Sequence, residues 1–406
     1  MGVNLMNNDS KIDVIVAGHI CLDMTPEFSK TNKSDIRDIL TPGKLVNMGR
    51  VRISTGGAVP NTGLALSVLG VNTKLMGKIG NDSFGEIILR ILRKFDAQDG
   101  MLVVDDEDSS YTIVIAVPGI DRIFLHNPGA NNTFCADDIN YGLVEKAGLF
   151  HFGYPPLMKK TFENGCEELI KIFKNVKKLG VTTSLDMALP DASSESGMVD
   201  WDSALKTLLP YVDIFVPSVE EIMFMAKRED YDALNRTPGR DFLDKLDMNR
   251  LQAIGDKITS YGAKIVLIKC GIKGNYIRTQ GKEKLAMMGK TKPSDLDNWA
   301  YRELLEESFH VENVVSATGA GDNSIAGFLA SLIKGMSVED SVKIACAVGA
   351  QNVQVTDAIS GVKAWDETVE MIRKDWPKNR ITVEGPYWRY DAAKKVWTGK
   401  NDCNFN

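Results

Sequence analysis

The sequence is short of the residues that build metal and disulfide sites. Histidine occurs only four times in 406 residues, widely separated, which argues against a His-based metal centre. The six cysteines (Cys21, Cys135, Cys166, Cys270, Cys346, Cys403) form no CxxC pair. Free thiols in a reducing compartment follow, rather than a disulfide scaffold or a zinc site. There is no basic excess: the net charge is −6, so nucleic acid is not an expected partner. No apolar window approaches a membrane span, and MGVNLMNNDSK lacks the apolar region of a secretory leader. Gly2 invites a myristoylation reading, but Met6 stands where Ser or Thr is wanted. A cytoplasmic protein is expected. Internal repeats and low-complexity segments are missing too, as are GxGxxG after the first strand and GxxxxGK[ST] anywhere. The two commonest nucleotide motifs are therefore missing, which disfavours a dinucleotide oxidoreductase and a P-loop enzyme.

What is present is an ordinary globular composition, 44% hydrophobic and 25% charged. The length allows one large domain or two. IDVIVAG (12–18) is a buried strand ended by glycine, and PNTGLALSVLG (60–70) has helical spacing with Gly70 as its stop. YTIVIAV and RIFLHN flank Pro118–Asp121 as a hairpin, and LVNMGRVRI reads as a strand. From residue 148 strands and helices alternate through GLFHFG, VTTSLDM, DIFVPS and KIVLIKCG. That alternation predicts a mostly parallel sheet flanked by helices, with the early hairpin strands in a small separate sheet or lid. PYWRYDAAKKVWTGK looks like a terminal hairpin without a clear task.

One stretch calls for chemistry. SATGAGDNSIAGF (316–328) places glycines on both sides of Ala320, then Asp322, between an expected strand NVV and an apolar helix. Gly319 and Gly321 let a ligand approach the backbone, and the helix start offers free N–H groups and a positive dipole end. This suits phosphate. A carboxylate beside phosphate is repelled, which is tolerable if it takes a proton from an attacking hydroxyl. Alone, GAGD equally fits a glycine turn with Asp as helix cap.

The stretch resembles the second signature of the ribokinase-like (PfkB-type) carbohydrate kinases, DTxGAGD before a helix. The first signature, GG-x-x-x-N, resembles Gly56-Gly57-Ala58-Val59-Pro60-Asn61, and GKIGNDSFG (77–85) is similar to the family's G-x-x-G-x-D-x-x-G turn. VAGHICLD with Asp23, VPSVEE (216–221) and IKCGIKG (268–274) fall at three further family motifs, in family order, between about residues 12 and 362. The resemblance implies an α/β three-layer sandwich over residues 11–384, lid segments at about 24–55 and 108–128, and a tail hairpin at 385–406. It implies an ATP-dependent phosphotransferase acting on a hydroxyl of a small sugar or sugar acid. A nucleoside kinase, or a catalytically silent binder of sugar or nucleotide, is the alternative.

The same resemblance assigns residues. Asp322 would be the base, and the amides of Gly319, Ala320 and Gly321 the anion hole. Asp23, Gly57 and Asn61 would hold sugar hydroxyls, although Asp23 also fits a turn cap and Asn61 a helix cap. Ser218, Lys269, Gly271, Gly274, Thr318 and Asn352 would border the nucleotide. Glu221 would act on Mg²⁺ through water, or simply be a first-turn glutamate. Lys269 could also be a strand-end lysine in water. Ser218 replaces the family's Asn and reaches less far. Ser316 replaces the leading Asp of DTxGAGD, which in relatives helps build a monovalent-cation site, so potassium dependence is not expected. Proline at 60 fits a first helical turn. Arg122, on the lid hairpin, would either reach an anionic group or remain a solvated charge. Phe28, Tyr111 and Phe124 are the candidates for stacking on a nucleoside base. The acidic chain favours an unphosphorylated acceptor, and the family's dimerisation through the lid sheet is open to it.

Overall fold

The computed structural model describes residues 11–28, 36–117, 122–236, 242–383 and 386–404. The hairpin tip expected at Pro118–Asp121 lies outside them. Among the described residues fifteen strands form two sheets: β1 (Ile12–Gly18), β2 (Cys21–Pro26), β3 (Val51–Gly56), β4 (Thr73–Gly80), β5 (Met101–Val104), β6 (Tyr111–Ile115), β7 (Ile123–Asn127), β8 (Ala147–Gly153), β9 (Thr182–Leu185), β10 (Ile214–Phe215), β11 (Ile265–Lys269), β12 (Asn275–Thr279), β13 (Glu303–Glu306), β14 (Trp388–Asp391) and β15 (Val396–Gly399).

The large sheet runs β14-β15-β13-β12-β11-β10-β9-β8-β1-β4-β5. It is parallel from β5 to β11 and antiparallel beyond. Its central strands are apolar on both faces because helices cover both. In β11, Val266 and Ile268 join one core while Ile265 and Leu267 join the other. In β8, Phe150 and Phe152 face the first core and Leu149 the second. This is the period-2 alternation of a strand between two apolar layers. The helices Lys159–Lys178 and Met248–Ser260 line the first core, and Ala58–Val68, Ala320–Ile333 and Val338–Asn352 the second.

The lid is the second sheet, ordered β3-β2-β6-β7. Its pairs are antiparallel except β2–β6. Strands from both expected lid segments lie in it; of LVNMGRVRI the strand begins at Val51, with Gly49 and Arg50 still bonded to the Glu27 backbone.

Two expectations are corrected. NVV is not a strand: β13 ends at Glu306, and Val314 and Val315 are exposed in a loop. Only the Val315 and Ser316 amides are tied, both to the Val353 carbonyl. An apolar doublet reads the same in a loop as in a strand, and here no neighbour offers a ladder. The tail is a hairpin, but not a separate unit. β15 pairs with β13 and extends the large sheet. Asp402 accepts from the buried Arg302 Nε at 2.9 Å and from the Glu303 amide at 2.9 Å. All six cysteines are free. Among the described residues no helix is long and apolar enough to cross a membrane.

Candidate active site

The parallel strands end together, and their carboxyl ends supply the site, as open α/β sheets do. His19 follows β1, Tyr154 follows β8, Asp186 follows β9, Ser218 follows β10, and Lys269 closes β11. Facing them is the start of the helix Ala320–Ile333. Gly319 is its N-cap in the left-handed region (φ 73°), and a Cβ there would fall 2.6 Å from the Ala358 side chain. Only glycine fits on both counts.

The turn is fixed from behind. Asn323 Nδ2 donates to the Gly319 and Ala358 carbonyls, both at 2.7 Å. Asn352 donates to the Thr318 and Asp357 carbonyls at 3.1 and 3.0 Å, and its oxygen accepts from the Gly361 amide. The Asn352 amide is thus engaged within the protein, beneath the loop. The Ala320 amide bonds the Ala317 carbonyl at 3.2 Å. Among the described residues the Gly319 and Gly321 amides have no protein acceptor. Of the three expected anion-hole donors, two are therefore available.

Asp322 lies in the first turn and is buried. Its Oδ2 accepts from Asn61 Nδ2 at 3.0 Å and from the Tyr154 hydroxyl at 2.8 Å. Its Oδ1 accepts from Tyr154 at 2.9 Å and Thr62 at 3.5 Å. Burial raises the pKa of Asp322 above that of an ordinary aspartate, against the pull of the Lys269 ammonium and these donors. Lys269 pairs with buried Asp186 at 2.6 Å and lies under Gly321. Burial works against its charge, yet Asp186 and Glu221 hold its pKa above the usual lysine value. It is not a strand-end lysine in water.

Ser218 and Glu221 form a reciprocal cap: the Ser218 amide donates to Glu221 Oε2 at 2.6 Å, and the Glu221 amide to Ser218 Oγ at 3.2 Å. Burial raises the pKa of Glu221. Gly271 and Gly274 lie in the turn between β11 and β12, closed by the Cys270 amide on the Gly274 carbonyl. Among the described residues no three His, Cys, Asp or Glu side chains are grouped to hold a metal.

On the lid side, Asp23 accepts from Cys21 Sγ at 3.3 Å, and burial raises its pKa. From there a polar chain runs to the base of the site. Cys21 Sγ is 3.7 Å from Thr112 Oγ1, and Thr112 is 3.0 Å from His126 Nδ1. His126 Nε2 is 3.4 Å from His19 Nε2, and the His19 ring packs on Tyr154. Burial drives the pKa of His19 down to about 3, with His126 adding to the effect. The room left by Gly57 (φ 93°) is filled by His19, whose Nδ1 would lie 2.5 Å from a Cβ there. His19 Nδ1 and Asn61 Oδ1 are buried without a partner.

Arg122 is half-buried and is held by a hydroxyl. It donates to Ser316 Oγ at 3.0 Å, and Ser316 in turn bonds the Thr318 hydroxyl at 3.0 Å. Arg52 reaches Thr356 at 2.5 Å. Of the stacking candidates, Tyr111 packs edge-on against Phe84, and the exposed Phe124 lies under the Arg122 guanidinium. Tyr154, Thr62, Asp186, His19 and His126 escaped the sequence reading. For all but Thr62, which lies in the helix Ala58–Val68, the one local signal is position at or near a strand end, and for Tyr154 a bulky residue between Gly153 and Pro155.

The family model for pfkB family carbohydrate kinases matches residues 13–365. The chain belongs to that family. It is a carbohydrate kinase, as this membership establishes. A PfkB relative from Archaeoglobus fulgidus, described only as a sugar kinase, is 25% identical over 299 residues, covering 74% of this chain and 98% of the relative. Among solved structures, Arabidopsis thaliana ribokinase complexed with ribose and ATP superposes with a TM-score of 0.66 at 20% identity, over 90% of this chain and 99% of that one. A Methanocaldococcus jannaschii nucleoside kinase superposes at 0.59 and 18% identity, over 90% and 99%. These likenesses carry the ribokinase-like fold.

Proposed function

We propose that this PfkB kinase transfers the γ-phosphoryl group of ATP to a hydroxyl of a small, unphosphorylated sugar or sugar acid. The observation that carries the reading is the buried Asp322 carboxylate beside two amides, of Gly319 and Gly321, that lack protein acceptors. In this reading Asp322 takes the proton of the acceptor hydroxyl as its oxygen attacks phosphorus. The two amides and the helix start stabilise the charge on the transferring group. Lys269 supplies a fixed cation under the loop. Asp23 and Asn61 Oδ1 meet acceptor hydroxyls, the latter because burial without a partner is unfavourable. Gly271, Gly274 and Thr318 border the nucleotide, and Asn352 supports it through the loop.

Mg²⁺ would find few direct protein ligands here, since no three carboxylates are grouped among the described residues, but Asp186, Glu221 and Asp322 all act on the charge of Lys269 and supply the negative field such an ion needs. Glu221 would hold it through water, the ion keeping most of its hydration. When bound, it neutralises phosphate charge. A monovalent cation is not part of the reading, because Ser316 is neutral and already carries Arg122. A nucleoside acceptor is less well supported, since Tyr111 and Phe124 are both engaged by neighbours.

The test is a coupled assay over sugars, sugar acids and nucleosides. Asp322→Asn is expected to lose about 10²–10⁴-fold of the acceptor-dependent rate. Full turnover by that variant, or ATP use that no acceptor stimulates, counts against the proposal.

A further inference from the structure

An acceptor hydroxyl needs a place on Asp322, and the protein's own donors already lie against both of its oxygens. An ionised carboxylate offers about four lone-pair sites. Asn61 donates to Oδ2, the single Tyr154 proton is shared between Oδ2 and Oδ1, and the Thr62 hydroxyl lies 3.5 Å from Oδ1. A substrate hydroxyl that approaches both oxygens of this carboxylate meets the Tyr154 hydroxyl, 2.9 and 2.8 Å from them, in its place.

Asn61 and Thr62 cannot leave easily. Both are buried and belong to the helix Ala58–Val68, which is packed against the second core. Tyr154 differs. It stands outside any helix or strand, and its single hydroxyl bridges both carboxylate oxygens at 2.9 and 2.8 Å. Its backbone is left-handed (φ 65°) immediately before Pro155, a conformation that bulky residues avoid and that a following proline disfavours further. Such outliers persist where the surroundings impose them, and they cluster at functional positions. Here the surroundings are rigid. The Gly153 carbonyl accepts from the His19 amide, a Cβ on Gly153 would strike Ala58, and Pro155 and Pro156 are buried. The backbone is held, so the hydroxyl can leave only by rotation of the side chain.

We propose that Tyr154 is a built-in stand-in for the acceptor, its hydroxyl holding the Asp322 carboxylate while the acceptor site is empty and rotating away when an acceptor alcohol enters. This rests on the reading of Asp322 as the base. The contact it makes is the one an acceptor hydroxyl would make. Its benefit is restraint. A water in that place would give a proton to Asp322 and attack the γ-phosphorus, yielding ADP and inorganic phosphate with no sugar phosphorylated. Tyr154 excludes that water. Burial and the Asp322 charge hold its phenol pKa well above the ordinary tyrosine value, so it stays a hydrogen-bond donor and not a nucleophile.

The experiment uses the full chain and Tyr154→Phe, which keeps the ring and removes the hydroxyl. ATP hydrolysis without acceptor is expected to rise about tenfold, the worth of one hydrogen bond to a charged group. The KM for the acceptor, with ribose and fructose as probes, is expected to fall because a competitor is gone. A purely structural tyrosine would lower turnover without raising acceptor-free hydrolysis. A folded variant with unchanged hydrolysis and unchanged acceptor KM overturns the proposal, as does a phosphoryl group found on Tyr154 by mass spectrometry. If the variant does not fold, a wild-type structure with the turned-over probe decides: Tyr154 still bridging both Asp322 oxygens refutes it, and a rotated ring supports it. Failure of the underlying base reading shows separately, as undiminished sugar phosphorylation by Asp322→Asn.

Discussion

Asp322 sits among Lys269, Asp186 and Glu221, with Asn61, Thr62 and Tyr154 as donors. A base must be ionised, so kcat/KM falls as pH drops through its pKa. Burial has raised that pKa, so the acid limb is expected above the value of about 4 that an exposed aspartate would give. Lys269 works in the opposite direction. Lys269→Met removes the cation, raises the pKa of Asp322 further and moves the acid limb to higher pH. A pH profile of kcat/KM checks this, and a limb that stays in place or moves to lower pH refutes the assigned field. Asp322, Asn61 and Lys269 could be read from the sequence because each lies in a short motif with a local reason for its glycines. Tyr154 could not, since its contact with Asp322 joins residues 168 positions apart. His19 and His126 were missed for the same reason, and each alone reads as a core histidine. Asn352 was expected at the nucleotide, and its amide is bonded to the Thr318 and Asp357 carbonyls and the Gly361 amide.

Strands and helices were legible wherever period and punctuation agreed. IDVIVAG, KIVLIKCG and the hairpin of β6 and β7 stand where they were expected. The failures share a cause: a strand is defined by its neighbour, which local sequence does not name. NVV has the composition and no partner. The tail hairpin has the composition, and its partner β13 lies some ninety positions earlier in the chain. That docking is held by Arg302, buried between Asp402 at 2.9 Å and Glu339 at 2.9 Å. Asp402→Ala leaves a buried guanidinium short of one anion and also frees the Glu303 amide. A loss of about 3 kcal/mol is expected in urea unfolding. A loss below about 0.5 kcal/mol, the usual range of a surface substitution, would mean the hairpin is only appended to the sheet.

At the scale of the molecule, alternation after residue 148 was enough to give the parallel sheet, and the order of the motifs gave the family. Assembly was less legible, because exposure cannot be read from composition. In the lid, β7 is an edge strand with Ile123, Phe124 and Leu125 all exposed, and β3 at the other edge exposes Val51 and Ile53. An exposed apolar edge strand is a pairing surface unless it is covered. We propose that a second copy of this chain covers it. Light scattering is expected to give a dimer, and Leu125→Asp a monomer. A monomeric wild type, or a dimer indifferent to Leu125→Asp, excludes this interface. The route by which the tail reaches the sheet has a temporal side as well. During synthesis β13 emerges with β12 beside it but bare on its other flank, and it stays so until residues 388–402 have cleared the ribosome. The half of the sheet beside the β11–β12 turn is therefore completed late, and a nascent chain halted before residue 388 presents an open edge to whatever chaperone or neighbouring polypeptide meets it first.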